Sequence, residues 1–445
     1  MGEIKRSVSV SDTNPAIRKN ENLCSECGHC LAVCSEEINV AGHKIPGREQ
    51  EKICIHCGQC VAACPEQAIV VRSELEEVKR AVKDPGKIVI FSTAPSVRVG
   101  IGDEFLEKPG VYAEGKMVSA LKQLGADYVL DVTFAADLTI MEEGSELIRR
   151  IVEGLAPLPQ FTSCCPAWIK YVETYHPDQI PHLSTAKSPI SMQGAMIKTY
   201  FAAKYDLNPL DIISVAVAPC TAKKFEIRRP ELNDAGKLLK HPKMRDNDYV
   251  ITTKELVSWM KQEQIEFESL KEQSFDPFLG KGSGAGVIFG NTGGVMEAAL
   301  RMVYECLTGE TPNDTLLNFE PVRGLEGVKE ACVKIGDLVI RTAVVYGTGN
   351  AERFLQRDLS EYHFIEVMTC PGGCISGAGQ PEQHEFPPGD RIRKSRIASM
   401  YEEDAKMTLR NSMDNPEIGK IYTEFLGKPD SELAKKLLHT SYIKR

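Results

Sequence analysis

No apolar run in this chain approaches the roughly 18 residues that a membrane-spanning helix needs. Stretches such as Ile88–Phe91 and Val215–Pro219 are far shorter, so no membrane partner is expected. The opening MGEIKRSVSVSDTNP lacks the apolar core and cleavage site of a secretory signal, and the sequence reads as cytoplasmic. Positive charge is also in deficit. Fifty-three Lys and Arg stand against 62 Asp and Glu, a formal net charge of −9, so the average surface repels a phosphate backbone and nucleic acid is not expected as a partner. Low-complexity tracts are absent. The glycine-rich stretches Gly282-Ser283-Gly284-Ala285-Gly286 and Gly347-Thr348-Gly349 neither complete GxGxxG nor end in Gly-Lys-Ser/Thr, and they read as turns.

What stands out instead is cysteine. The 445 residues, 42% hydrophobic and 26% charged, have an ordinary globular balance, with length for about three domains. Fifteen cysteines in a chain read as cytoplasmic point to metal binding or chemistry rather than disulfides, because the cytosol keeps thiols reduced. Eight of them lie between Cys24 and Cys64, and seven are spread from Cys164 to Cys374. Between the groups, Ser73–Lys83 carries Leu75, Val78 and Val82 at helical spacing and stops at Asp84-Pro85-Gly86. The expected units are therefore residues 1–85, an α/β body over 86–390 and helices wrapped on its outside over 391–445. In the body, β-rich runs such as Lys87–Phe91, Ser214–Ala218 and Arg341–Tyr346 alternate with amphipathic segments such as Leu138–Leu155 and Gly293–Leu307. The basic run Arg391–Arg396 reads as a solvated helix face, and Cys306 and Cys332 as core thiols.

The only internal repeat is in the first unit. Cys24-x2-Cys27-x2-Cys30-x3-Cys34 recurs thirty residues later as Cys54-x2-Cys57-x2-Cys60-x3-Cys64-Pro65. Three thiolates at two-residue intervals wrap one cubane, and the fourth comes from the other repeat. Cys24, Cys27, Cys30 and Cys64 are thus expected at one [4Fe-4S] cluster, and Cys54, Cys57, Cys60 and Cys34 at a second. Zinc ribbons use two cysteine pairs and have no use for triplets. The first run departs from the bacterial ferredoxin pattern in having Ser35 where proline is usual, which alters the local turn without removing a ligand.

In the body, three segments draw attention: Thr162-Ser163-Cys164-Cys165-Pro166-Ala167-Trp168, Pro219-Cys220-Thr221-Ala222-Lys223-Lys224-Phe225-Glu226, and Glu366-Val367-Met368-Thr369-Cys370-Pro371-Gly372-Gly373-Cys374. These resemble the three H-cluster signatures of the [FeFe]-hydrogenases, in the right order and preceded by a two-cluster domain. Thr93-Ala94-Pro95-Ser96, Thr139–Glu143, Lys187-Ser188-Pro189 and Phe289–Glu297 agree with the same resemblance.

The resemblance implies a ferredoxin-like α+β 2[4Fe-4S] domain, an H-cluster domain of two mixed sheets flanked by helices, and a small-subunit-like helical wrap. Cys165, Cys220, Cys370 and Cys374 would bind a third [4Fe-4S] cluster, with Cys374 also bridging to a diiron unit that bears CO, CN⁻ and azadithiolate. The implied reaction is 2H⁺ + 2e⁻ ⇌ H2, with ferredoxin or a similar soluble carrier as electron partner and maturation proteins delivering the diiron unit. Cys164 would relay protons, followed by Glu143, Ser184, Glu146 and Arg150. Lys223, Pro95 and Ser96 would hold cyanide ligands, and Phe289 and Met368 would pack near the diiron unit. Spacing agrees with the relay, since Glu143, Glu146 and Arg150 fall at i, i+3 and i+7 on one helix face. Ala218, Ile190, Thr369 and Ala378 depart from the best-known members near the pocket and suggest a divergent branch. Two further readings are a low-activity hydrogen sensor and a non-catalytic iron–sulfur assembly protein. Cys164, Lys223 and the two glutamates argue against the second.

Overall fold

A computed structural model describes residues 6–43, 53–106, 108–381 and 389–445. The cysteine repeats fold as two similar halves joined by a strand pair, β1 (Ile17–Lys19) antiparallel to β2 (Ile69–Val71), with Ile17 opposite Val71. Each triplet turns through a glycine into a short helix, His29–Ala32 or Gln59–Ala62. The halves differ after that helix. In the first, the chain continues through a wide helical turn, Val33–Glu37, and the Ser35 hydroxyl donates back to the Leu31 carbonyl at 2.7 Å. In the second, the helix ends at Ala62 and Pro65 cannot extend it. The connecting helix, Leu75–Val82, then buries Leu75 and Val78.

The body contributes β3 (Ile88–Thr93), β4 (Tyr128–Asp131), β5 (Gln160–Phe161), β6 (Ile212–Ala218), β7 (Tyr249–Thr252), β8 (Val328–Ile335), β9 (Leu338–Tyr346) and β10 (Phe364–Met368). They form two four-stranded sheets, β4-β3-β6-β7 and β5-β10-β9-β8. Only the second is mixed, through the antiparallel β8–β9 hairpin; the first is parallel throughout, which corrects the expectation of two mixed sheets. The reason lies in the connections. Each parallel step needs a long crossover, and a sheet covered by helices on both faces reads as the apolar runs seen in β3 and β6.

The strands that carry the signatures end close together. β3 leads into Pro95 and Ser96, β5 into Cys164 and Cys165, β6 into Cys220, and β10 into Cys370 and Cys374. Ligands in open α/β sheets bind outside the carboxyl ends of the strands, and here two sheets present those ends to one another. Behind them runs the helix Val132–Glu153, capped by the Asp131 carboxylate accepting from the Thr133 N–H at 2.8 Å and closed by left-handed Gly154. It begins six residues earlier than the apolar spacing predicts, because Val132–Asp137 are buried all round and show no periodicity.

The C-terminal segment wraps the body with helices Asp390–Lys406, Pro416–Ile421 and Glu432–Leu438. The basic run is not wholly solvated. Arg396 is fully buried and donates to the Asp103 carboxylate at 2.7 Å and to the Ile375 and Pro381 carbonyls, tying the wrap to the loop after Cys374. Cys306 and Cys332 are exposed rather than core thiols. The glycine stretches expected as turns open helices, Gly284–Ile288 behind an N-capping Ser283 and Thr348–Leu355 behind Gly347. No helix among the described residues is long and apolar enough to cross a membrane.

Arg396→Met leaves the Asp103 carboxylate buried without its cation. The expected loss is about 3–5 kcal/mol of stability, read as a lower urea midpoint for the body with the two-cluster unit's spectrum unchanged.

Candidate functional site

The eight N-terminal cysteines line two cavities. Cys34, Cys54, Cys57 and Cys60 surround one of about 290 Å³ walled by Val8, Ile17, Leu31 and Ile38, while Cys24, Cys27, Cys30 and Cys64 line a smaller one. Each cavity therefore draws three cysteines from one repeat and one from the other. Four thiolates on a single zinc ion, at Zn–S of about 2.3 Å, lie within ~4 Å of one another. Among the described residues no three cysteine sulfurs come within 4.8 Å of one another, so the donor sets suit the wider span of a cubane.

In the body, Cys165, Cys220, Cys370 and Cys374 meet where the two sheets face. Burial, then the charges of neighbouring cysteines, push the Cys220 thiol up to about 11 and those of Cys370 and Cys374 further above the ordinary range. Such a group of thiols can be ionised together only when cations compensate them, as iron does. Two contacts to these sulfurs were not anticipated from sequence. Gln59, inside the second cysteine run, reaches across to donate its side-chain N–H to Cys370 Sγ at 3.2 Å and to the Ser376 carbonyl at 3.3 Å. Thr369, one of the departures from the usual pattern, lies with its Oγ1 3.4 Å from Cys165 Sγ.

Gly58 explains how the two units approach so closely. It adopts φ +72°, and a Cβ there would fall 2.4 Å from Thr221 Oγ1 and 2.9 Å from the Ala378 methyl. Thr221 in turn donates its hydroxyl to the His56 carbonyl at 2.8 Å.

The remaining pocket residues are buried around the four cysteines. Phe289 and Met368 pack in the same apolar cluster as Cys164 and Cys374. Pro95 is buried, and the buried Ser96 hydroxyl has no hydrogen-bond partner, leaving a donor free for a bound ligand. Lys223 does not face the pocket unpaired: its ammonium forms an ion pair with Glu226 at 2.6 Å and donates to the Cys164 carbonyl at 3.0 Å. Burial opposes its charge, but Glu226 more than offsets this and holds it above the ordinary lysine range.

The acidic groups are neighbours, and hydrogen bonds join Ser184, Glu146 and Arg150 but do not reach the Glu143 carboxyl. Burial, then the Glu143 charge, keeps the Cys164 thiol well above its ordinary value, so it is neutral. Glu143 is fully buried with no partner on either carboxyl oxygen, and burial followed by the Glu146 charge raises it to about 8, against opposing contributions from the Ser184 hydroxyl and the Ser163 N–H. Ser184 donates to Glu146 Oε2 at 3.2 Å, and Arg150 grips Glu146 Oε1 at 2.6 Å.

With this geometry in view, the similarity to known proteins is decisive. Residues 87–378 match the family described as iron only hydrogenase large subunit, C-terminal domain, 390–445 match iron hydrogenase small subunit, and 23–69 match a 4Fe-4S dicluster domain. The chain belongs to the iron-only, or [FeFe], hydrogenase family. It carries [4Fe-4S] clusters and an H-cluster accordingly. A relative described as NADP-reducing hydrogenase subunit HndD, from Solidesulfovibrio fructosivorans, is 43% identical over 97% of this chain and 68% of its own length. A solved apo [FeFe]-hydrogenase HydA1 variant from Chlamydomonas reinhardtii superposes with a TM-score of 0.71 at 38% identity, covering 82% of this chain and 98% of that one. Cytosolic iron-sulfur assembly component 3 of Bos taurus is 30% identical over 84% of this chain and 78% of its own length.

Because the folded state holds the Glu143 proton more tightly than the unfolded chain, this group's contribution to stability is complete below its ordinary 4.5 and is lost as pH rises through about 8. Urea midpoints measured across that window should fall with pH in the parent and fall less steeply in Glu143→Gln.

Proposed function

We propose that this hydrogenase-family chain catalyses 2H⁺ + 2e⁻ ⇌ H2. Cys24, Cys27, Cys30 and Cys64 hold one cluster and Cys34, Cys54, Cys57 and Cys60 the other, within an electron-transfer unit over residues 1–85 that exchanges electrons with ferredoxin or a similar soluble carrier. Cys165, Cys220, Cys370 and Cys374, in the unit over 86–390, hold the H-cluster, which supplies the redox chemistry that joins protons and electrons. The segment over 391–445 closes the pocket from outside. Maturation proteins deliver the diiron unit.

The chain's own residues supply position, dryness and protons. Ser96 presents its free hydroxyl to the cofactor's anionic ligands, Pro95, which has no N–H to offer, shapes the turn before it, and Phe289 and Met368 exclude water. Lys223, neutralised by Glu226 and bonded to the Cys164 carbonyl, positions the loop that carries Cys164. Protons pass from Cys164 Sγ to a Glu143 oxygen, then through the Ser184 hydroxyl to Glu146, while Arg150 holds Glu146 in place. The observation that carries this reading is that the Cys164 thiol and the Glu143 carboxyl, the latter with no hydrogen-bond partner on either oxygen, are both buried beside the four-cysteine site. An acid that is protonated near neutral pH can both give and take a proton there, and a protein that only stored or passed on clusters has no use for one.

Similarity to the assembly component favours a second reading, in which clusters bind but no diiron unit does. One experiment separates them. After maturation with the diiron cofactor, infrared spectra should show metal-bound CO and CN⁻ bands and a reduced dye should drive H2 evolution; full iron content without those bands supports the assembly reading. Cys164→Ala should keep its clusters and lose at least about a hundredfold in turnover, and activity within about threefold of the parent would remove Cys164 from the path.

A further inference from the structure

The relay from Cys164 to Glu146 needs an outlet to water, and Arg150 does not provide one. Its side chain is 1% exposed. Its guanidinium donates to Glu146 Oε1 and to the carbonyls of Pro157, Pro181, His182 and Leu183, at 2.6–3.3 Å. A guanidinium does not release its proton in a protein, so Arg150 fixes Glu146 but passes nothing on.

The other carboxyl oxygen of Glu146 points elsewhere. Oε2 lies 3.0 Å from the hydroxyl of Thr185, an exposed residue, and that hydroxyl lies 2.7 Å from His439 Nδ1. The opposite nitrogen, His439 Nε2, lies 2.9 Å from Glu142 Oε2. Glu142 is completely buried and is held by the Tyr422 hydroxyl and the Asp430 N–H. The ring cannot drift, because His439 bridges Ala186 in antiparallel register, with the Lys187 N–H donating to the Leu438 carbonyl and the Thr440 N–H to the Thr185 carbonyl, both at 2.8 Å. His439 also lines an open surface cleft of about 550 Å³, with Lys435 and Lys436 on its rim.

We propose that Thr185 and His439 form the solvent outlet of the proton relay, with Glu142 orienting the imidazole. When Glu146 is protonated, its O–H donates to Thr185 Oγ1, whose own O–H donates to unprotonated His439 Nδ1, while Nε2–H donates to the Glu142 carboxylate. One concerted shift breaks the Glu146 O–H bond and forms one on Thr185, as the former Thr185 O–H bond breaks and an N–H bond forms on His439. Glu146 is left a carboxylate and His439 an imidazolium paired with Glu142, which then loses its Nδ1 proton to water in the cleft that His439 lines. Uptake runs the same steps backwards. The arrangement resembles a carboxylate–imidazole–hydroxyl triad in its logic, with a proton passed on in place of a nucleophile activated.

The outlet rests on the hydrogenase reading, and the test distinguishes the two. In the matured holoenzyme, His439→Ala and Thr185→Val should each lower dye-driven H2 evolution about tenfold or more, at unchanged iron content and unchanged CO and CN⁻ bands. Added imidazole should restore His439→Ala but not Thr185→Val, and Thr185→Ser should keep parental turnover. Independently of turnover, the carboxyl C=O stretch of Glu146 in infrared difference spectra, assigned through Glu146→Gln, should shift in Thr185→Val. His439→Ala turning over within about twofold of the parent, a loss that imidazole does not repair, or a C=O stretch unmoved in Thr185→Val overturns the outlet. Absence of H2 from a fully loaded parent instead overturns the hydrogenase reading.

Discussion

Placing several thiols together in a dry space is the constraint around which this molecule is organised. Burial and mutual repulsion drive Cys220, Cys370 and Cys374 away from ionisation, so the thiolate form that binds iron exists in the body only together with its metal. The two sheets supply the dryness by facing their strand ends toward each other, and the wrap seals the remaining side through fully buried ion pairs. Arg301, for example, is caught between Glu297 and Asp404 at 2.7 and 2.8 Å. A loop-built site would have let water in and relaxed the thiols toward their ordinary state.

The same dryness does the opposite service for the acids. A carboxyl on a wet helix face is ionised at neutral pH and can accept a proton but seldom give one. Glu143, without a partner and facing a second carboxyl, stays protonated up to about pH 8. Glu146, one helical turn away, is anchored by a guanidinium and three donors on the 184–185 segment. Two carboxyls on one face of one helix thus occupy environments different enough to set a direction between them.

Local features of the sequence carried most of this. The cysteine triplets, the three signatures, the parallel-strand runs and the i, i+3, i+7 spacing of Glu143, Glu146 and Arg150 are all written in short windows. What escaped was non-local. Nothing near Arg396 says that its partner is Asp103, nearly three hundred residues earlier, so a buried cation reads as one more solvated charge. Cys306 and Cys332 follow the usual preference of cysteine for interiors and are exposed. Gly284 and Gly349 suggest turns by composition, yet they sit in helices whose close neighbours, Asp404 on the wrap and the Glu37 carbonyl in the two-cluster unit, leave no room for a side chain.

The seat of Gly58 has an evolutionary corollary. With Thr221 and Ala378 pressed against its backbone and Gln59 bonded to Cys370, the front module and the body are machined as a matched pair. Exchanging that module for another, as one swaps a plug on an appliance, would require recutting the socket as well. The outward side, around exposed Leu23, is where a different electron donor can be accommodated without disturbing the fit to the body.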